Sequence, residues 1–231
     1  MSAATRAFRA ALPTCTPIIT SFLALGISCG LLVTVNGLPF WYAPLMSVVI
    51  FGGSLEFVTI TMLVGTFAPL ETIVIAFMVQ ARHIFYGIAM LGRYDIRDWK
   101  RTYLIYSLCD ETFSINRTVD APEGVDRNWF MFAVSLLNQL SWILGTTIGA
   151  VVGMLIPWDL SGLGFVMTAL FVVILLENML KDRRPLSAVI GFASAVVCLV
   201  LFGSGSFLLP TLVLMVVLLL VFRGPVQEGF R

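Results

Sequence analysis

The sequence predicts an all-α, polytopic helical membrane protein with six to eight membrane segments, two of them broken or re-entrant. Three observations predict it. Hydrophobic residues fill 59% of 231 positions and charged residues only 12%, at a mean hydropathy of +0.98, a balance that soluble domains do not show. The apolar residues fall in long runs parted by turn-forming or charged stretches, as in helical membrane proteins. Finally, ionisable residues interrupt three of those runs, and such groups are costly at membrane depth unless they face a bundle interior or a water-filled path.

Taken in order, residues 1–12 form an Ala-rich N-terminal segment carrying Arg6 and Arg9. Segment one runs from about Pro13 to Val35, too long for a signal-peptide core, with Gly26 and Gly30 spaced for close helix contact. Asn36-Gly37-Leu38-Pro39 is turn chemistry. Segment two, 44–67, contains Gly52-Gly53-Ser54-Leu55-Glu56, and segment three, 70–91, ends on Gln80-Ala81-Arg82-His83-Ile84-Phe85-Tyr86-Gly87. A charged loop, 92–101, leads to segment four, 102–116, whose fifteen residues at about 1.5 Å each reach only about 22 Å of a ~30 Å hydrocarbon core.

A polar loop, 117–128, precedes a long helix, Trp129 to Ile156, with Gly145, Gly149 and Gly153 on one face. That face fits either a partner or another helix of the same chain. Segments near 163–179, 186–202 and 207–222 close the chain, with a polar loop at 180–185. The whole of 1–231 reads as one integral-membrane domain. Cys15, Cys29, Cys109 and Cys198 are scattered and read as small residues within the bundle.

Charge placement bears on topology. If every segment crosses, Arg6, Arg9, Arg117, Arg127, Lys181, Arg183, Arg184, Arg223 and Arg231 collect on the N-terminal side, against Arg93, Arg97, Lys100 and Arg101 opposite. If segments two and four are re-entrant, all of these fall on one side. Either way both termini are cytoplasmic, and segments 44–67 and 102–116 can span or re-enter.

Four polar constellations lie in or beside apolar runs: Ser54/Glu56, Gln80/Arg82/His83/Tyr86, Asp110/Glu111 and Asn138/Gln139/Ser141. The first three converge only on folding. Arg82 requires an anion, and Glu56, Asp110 and Glu111 are the candidates; the bland alternative is a structural pair or snorkelling to headgroups. His83 is the chain's one histidine, a packing residue or a proton carrier. Gly52 and Gly53 permit a helix break or serve close packing. A break would offer half-helix N–H groups to a carboxylate, and carbonyls and acids to an ammonium.

Enzyme chemistry lacks support. One histidine excludes a two-His metal site, and neither a Gly-x-Ser-x-Gly elbow nor a phosphate loop is present. No cofactor or metal is expected, and a net charge of +1 gives no reason to expect nucleic acid.

At Gly53-Ser54-Leu55-Glu56-Phe57, Arg82-His83-Ile84-Phe85-Tyr86-Gly87 and Leu108-Cys109-Asp110-Glu111-Thr112-Phe113, the chain resembles the AzlC family of bacterial membrane proteins over essentially its whole length. The resemblance implies a secondary transporter subunit of the bacterial cytoplasmic (inner) membrane. It would export leucine, isoleucine, valine or methionine on the proton gradient and pair with a small AzlD-type membrane subunit. Glu56 and Asp110/Glu111 would then be substrate-amine or proton sites, and Arg82/His83 the counter-charge or gating pair. The alternative is a channel-like or scaffold subunit whose buried charges only join helices.

Overall fold

The computed structural model describes residues 2–65, 69–96, 98–155, 172, 176, 186–203 and 207–222. Among the described residues there are nine helices and no strand. They belong to two compact units, Met1–Leu160 and Ser161–Arg231. The expected segment at 163–179, apart from residues 172 and 176, lies outside the described residues, as do the loop at 180–185 and Arg97, Arg223 and Arg231. The second unit contains α8 (Leu186–Phe202) and α9 (Leu208–Val221); Gly191 of α8 packs against Met215 Sδ of α9.

In the first unit, α1 (Ala3–Val35) and α7 (Arg127–Leu155) are the two helices long and apolar enough to cross a membrane. Helix α1 begins ten residues before the expected Pro13 and carries Pro13 and Pro17 inside it. The Ala-rich leader has high helix propensity, and Ser2 caps it by accepting from the Thr5 N–H at 3.2 Å. The C-terminus closes as a Schellman motif: Leu38 N–H bonds Val33 O, Gly37 N–H bonds Thr34 O, and Gly37 takes φ +80°.

Glycines weld α1 to α7. A Cβ at Gly30 would stand 2.0 Å from the Thr146 carbonyl oxygen, and one at Gly149 would stand 2.1 Å from that of Ile27. Gly26 and Gly145 are nearly as tight against opposing backbone, and Gly153 meets Thr34. The Gly145/Gly149/Gly153 face therefore packs on a helix of its own chain. Because Phe8 meets Phe132, Ile27 meets Gly149 and Thr34 meets Gly153, the two helices run parallel.

Between them the chain folds twice back on itself. Segment two is α2 (Tyr42–Val49) and α3 (Ser54–Val64), starting slightly before the expected Pro44. Ser47 and Glu56, on either side of the break, are bonded at 2.9 Å, whereas nine residues of continuous helix would separate them by about 13 Å. Helix α4 (Pro69–Met90) follows.

Segment four is a hairpin too, α5 (Trp99–Tyr106) and α6 (Asp110–Thr118). It begins earlier than expected, taking Trp99 to Arg101 from the charged loop, while α6 and α7 take both ends of the polar loop at 117–128. Helix α5 climbs along α7, from Trp99 against Phe132 to Tyr103 bonded to Gln139. Helix α6 descends it, from Thr112 at Asn138 to Asn116 at Ser135.

Both ends of this hairpin lie at the N-terminal end of α7. Arg93 donates to the carbonyls of Asn116 and Val119 and pairs with Asp120 at 2.6 Å. Lys100 pairs with Asp98 and sits over the Trp129 ring, 4.4 Å from its centroid. These cations, which read as topology signals, thus also clamp the hairpin.

The glycine weld is directly testable by thermal unfolding of the detergent-purified chain. Gly149→Ala, forced against backbone, should cost about 1–3 kcal/mol and lower the melting temperature. Gly92→Ala, whose Cβ meets nothing within 4 Å, should leave it unchanged. Equal melting for both would refute the close contact.

Candidate functional site

The two breaks meet at mid-height of α7. In the first, Ile50 to Gly53 leave the helical path: Phe51 takes φ +42° and Gly53 φ +47°. A bulky residue in the left-handed region is strained, so surrounding contacts must impose it. One is the close seat of Gly52, where a Cβ would fall 2.2 Å from Gln80 Nε2. The break also strips carbonyls of helical partners, and the Tyr106 hydroxyl donates to that of Val48. The second break, Ser107 to Cys109, releases α6 with Asp110 and Glu111 in its first turn, where the free N–H groups favour acids.

One face of α7 supports both. Trp142 Nε1 donates to Glu56 Oε1 at 2.9 Å while Ser47 donates to Oε2, and Ser47 in turn bonds Thr146 at 2.9 Å. One turn away, Gln139 accepts from Tyr103 at 2.6 Å and donates to Tyr106. Asn138 reaches Thr112, and Ser135 reaches Asn116. Residues 135, 138, 139, 142 and 146 share a face at helical spacing, and all are buried. Of the expected trio, Ser141 instead bonds the Asn138 carbonyl of its own helix.

Arg82 joins the tips. Its Nη1 lies 2.8 Å from Asp110 Oδ2 and its Nη2 donates to Ser54 Oγ at 3.2 Å. Ser54 and Asp110 are the first residues of α3 and α6, so one guanidinium bridges two half-helix starts. Among the three candidate carboxylates, Asp110 is the partner. Glu56 is not; it is fully buried and bonded by neutral donors. The Arg82 and Asp110 side chains stay 42% and 37% exposed.

His83 stands edge-on to Tyr86 at 5.6 Å, and Tyr86 stacks on Phe113 of α6 at 4.5 Å. Gln80 and His83 line a cavity of about 270 Å³ between α4 and α5, whose lining also includes Gly87, Leu91, Ile105, Leu108 and the exposed Arg101. Gln80 Oε1 and His83 Nδ1 are buried without a partner of hydrogen-bond geometry, as is Asp110 Oδ1. Unmatched acceptors beside a mostly apolar cavity suit a small solute with donor groups.

Sequence reasoning missed Ser47, Trp142 and Thr146 around Glu56, and Tyr103, Tyr106 and Arg101 on α5. For Trp142 and Thr146 a signal was present, since they continue the helical spacing of Asn138 and Gln139.

The family model described as AzlC protein matches residues 17–156. A Bacillus subtilis protein named branched-chain amino acid transport protein AzlC is 43% identical over 223 residues, covering 96% of this chain and 88% of that one. The chain belongs to the AzlC family. An uncharacterised membrane protein of Haemophilus influenzae is 42% identical, covering 90% of this chain and 86% of its own. The inner membrane protein YgaZ of Escherichia coli is 27% identical, with 72% and 71% covered. No solved structure matches. The matched stretch in this AzlC-family membrane protein contains both hairpins, α4 and α7, hence every residue of the site.

The Glu56 network predicts the effect of one atom group. Trp142→Phe keeps a ring against Phe22 but removes the indole donor, leaving Glu56 Oε1 without it. It should cost about 1–3 kcal/mol in thermal unfolding of the purified chain. An unchanged melting temperature would mean the bond contributes nothing.

Proposed function

We propose that this chain is the large subunit of a secondary transporter that exports branched-chain or other hydrophobic amino acids, including methionine, across the bacterial inner membrane. The observation that carries the reading is the pair of interrupted segments meeting tip to tip at Arg82 beside a largely apolar cavity. Half-helices of 8, 11, 8 and 9 residues reach about 12–16 Å each, about half of the ~30 Å core at most. Broken backbone at that depth is tolerated where protein covers it or water lines it, as in transporter binding sites. The name of the Bacillus subtilis relative supports branched-chain amino acids as cargo.

In this reading the chain is one multi-pass domain with six to eight membrane segments, and both hairpins are re-entrant. The parallel packing of α1 and α7 supports an odd number of crossings between them, so the two interrupted segments either both cross or both return. The Arg93–Asp120 pair joins the loops flanking α5–α6, which favours return. The Lys and Arg residues outside the segments then fall on the cytoplasmic side with both termini.

Asp110, paired with Arg82, is the substrate-amine or proton site. Glu111 supports it from the same turn. Glu56, with Gly52, Gly53 and Ser54, holds the first tip in shape. Gln80, His83 and Tyr86 face the substrate path. A small AzlD-type subunit completes the transporter.

Efflux of labelled leucine, valine and methionine from loaded cells tests this, with and without the small subunit. Leucine efflux should require both chains, and Asp110→Asn should reduce it to the level of cells lacking the protein at unchanged membrane abundance. Losses that merely track abundance would instead make the buried charges a scaffold.

A further inference from the structure

We infer that Arg101 forms an entry subsite at the rim of the α4–α5 cavity, capturing the carboxylate of the amino acid before it moves inward toward Gln80 and His83. The inference rests on the transport reading above and adds a residue to its path.

Of the other described cations on or beside the hairpins, Arg82, Arg93 and Lys100 each have an aspartate, whereas Arg117 on α6 has none within 4 Å among the described residues but does not line the cavity. Arg101 lines the cavity yet has no carboxylate within 4 Å among the described residues. It is exposed, so its charge is hydrated and available rather than trapped. A guanidinium matches a carboxylate in bidentate fashion, and a charge at the rim of a low-dielectric cavity raises the local concentration of its counter-ion.

The inner part of the cavity is different in kind. Ile105 and Leu108 line it, and the unpartnered Gln80 Oε1 and the His83 ring lie on α4. Acceptors suit an ammonium, and the apolar wall suits an aliphatic side chain. In a free amino acid both charges share one carbon, so it cannot hold Arg101 and Gln80 at once if they stand at opposite ends. Gln80 lies ten residues before Met90 on α4, about 15 Å along the axis, and Arg101 lies three before Leu104, which shares a buried cluster with Met90. The two poles are therefore successive stations. On the proposed topology the rim opens to the cytoplasm, where cargo for export arrives.

The test is uptake into inverted membrane vesicles from cells expressing the full chain with the small subunit, where export reads as uptake. L-leucine is compared with 3-methylbutylamine, which has the same side chain and amine but no carboxylate. Arg101→Gln should raise KM for leucine by about tenfold or more at unchanged kcat, leave transport of the amine unaffected, and abolish the rise of leucine KM with added salt. Gly87→Val adds bulk to the cavity wall where a Cβ meets nothing within 4 Å, and should impair leucine and the amine alike.

An unchanged leucine KM in Arg101→Gln overturns the entry subsite and leaves the transporter standing. So does a parallel shift for leucine and amine, which would mark Arg101 as an anchor to lipid phosphate. Wild-type vesicles that carry no leucine overturn both readings.

Discussion

A helix interrupted in apolar surroundings exposes backbone and side-chain polar groups that water cannot satisfy, and each left unpaired costs free energy. That constraint governs the first unit of this protein. Both interruptions are served by one face of α7, through Trp142 and Thr146 at the first hairpin and Ser135, Asn138 and Gln139 at the second. Helix α7 can do this only if it is itself fixed. The glycine contact with α1, backbone against backbone, fixes it without a single charged group.

The polar groups then divide by enclosure. Glu56 is sealed and bonded on both oxygens, so moving it would break several bonds at once. Arg82 and Asp110 are less enclosed, with 42% and 37% of their side-chain surface exposed. Arg93 and Lys100 hold the base of the second hairpin, while Arg82 joins its tip to that of the first.

Much of this was legible in the sequence because helix breaks have local causes. Gly52-Gly53 and the shortness of the stretch at 102–116 allowed both interruptions without requiring them, and the glycine spacings marked a close helix contact without naming the helix it meets. The identity of Arg82's partner was not legible, since Glu56, Asp110 and Glu111 are chemically equivalent until folding sets distances. Trp142 was missed because an indole reads as apolar while its one N–H does the bonding. Pro13 was read as a helix start, yet Ser2 capping and the alanines carry α1 through it. Arg93 and Lys100 carry a topology signal in the sequence, and only tertiary contact reveals what they clamp.

The topology of the first unit turns on whether the second hairpin returns to the side it came from. The chain's four native cysteines are buried, so an added surface cysteine can be read against low background. The decisive measurement is thiol labelling of Asp95→Cys and Glu123→Cys by an impermeant reagent in right-side-out and inverted vesicles. The account predicts that both label from the cytoplasmic face alone. Labelling from opposite faces would mean that α5 and α6 cross the membrane, and would contradict it.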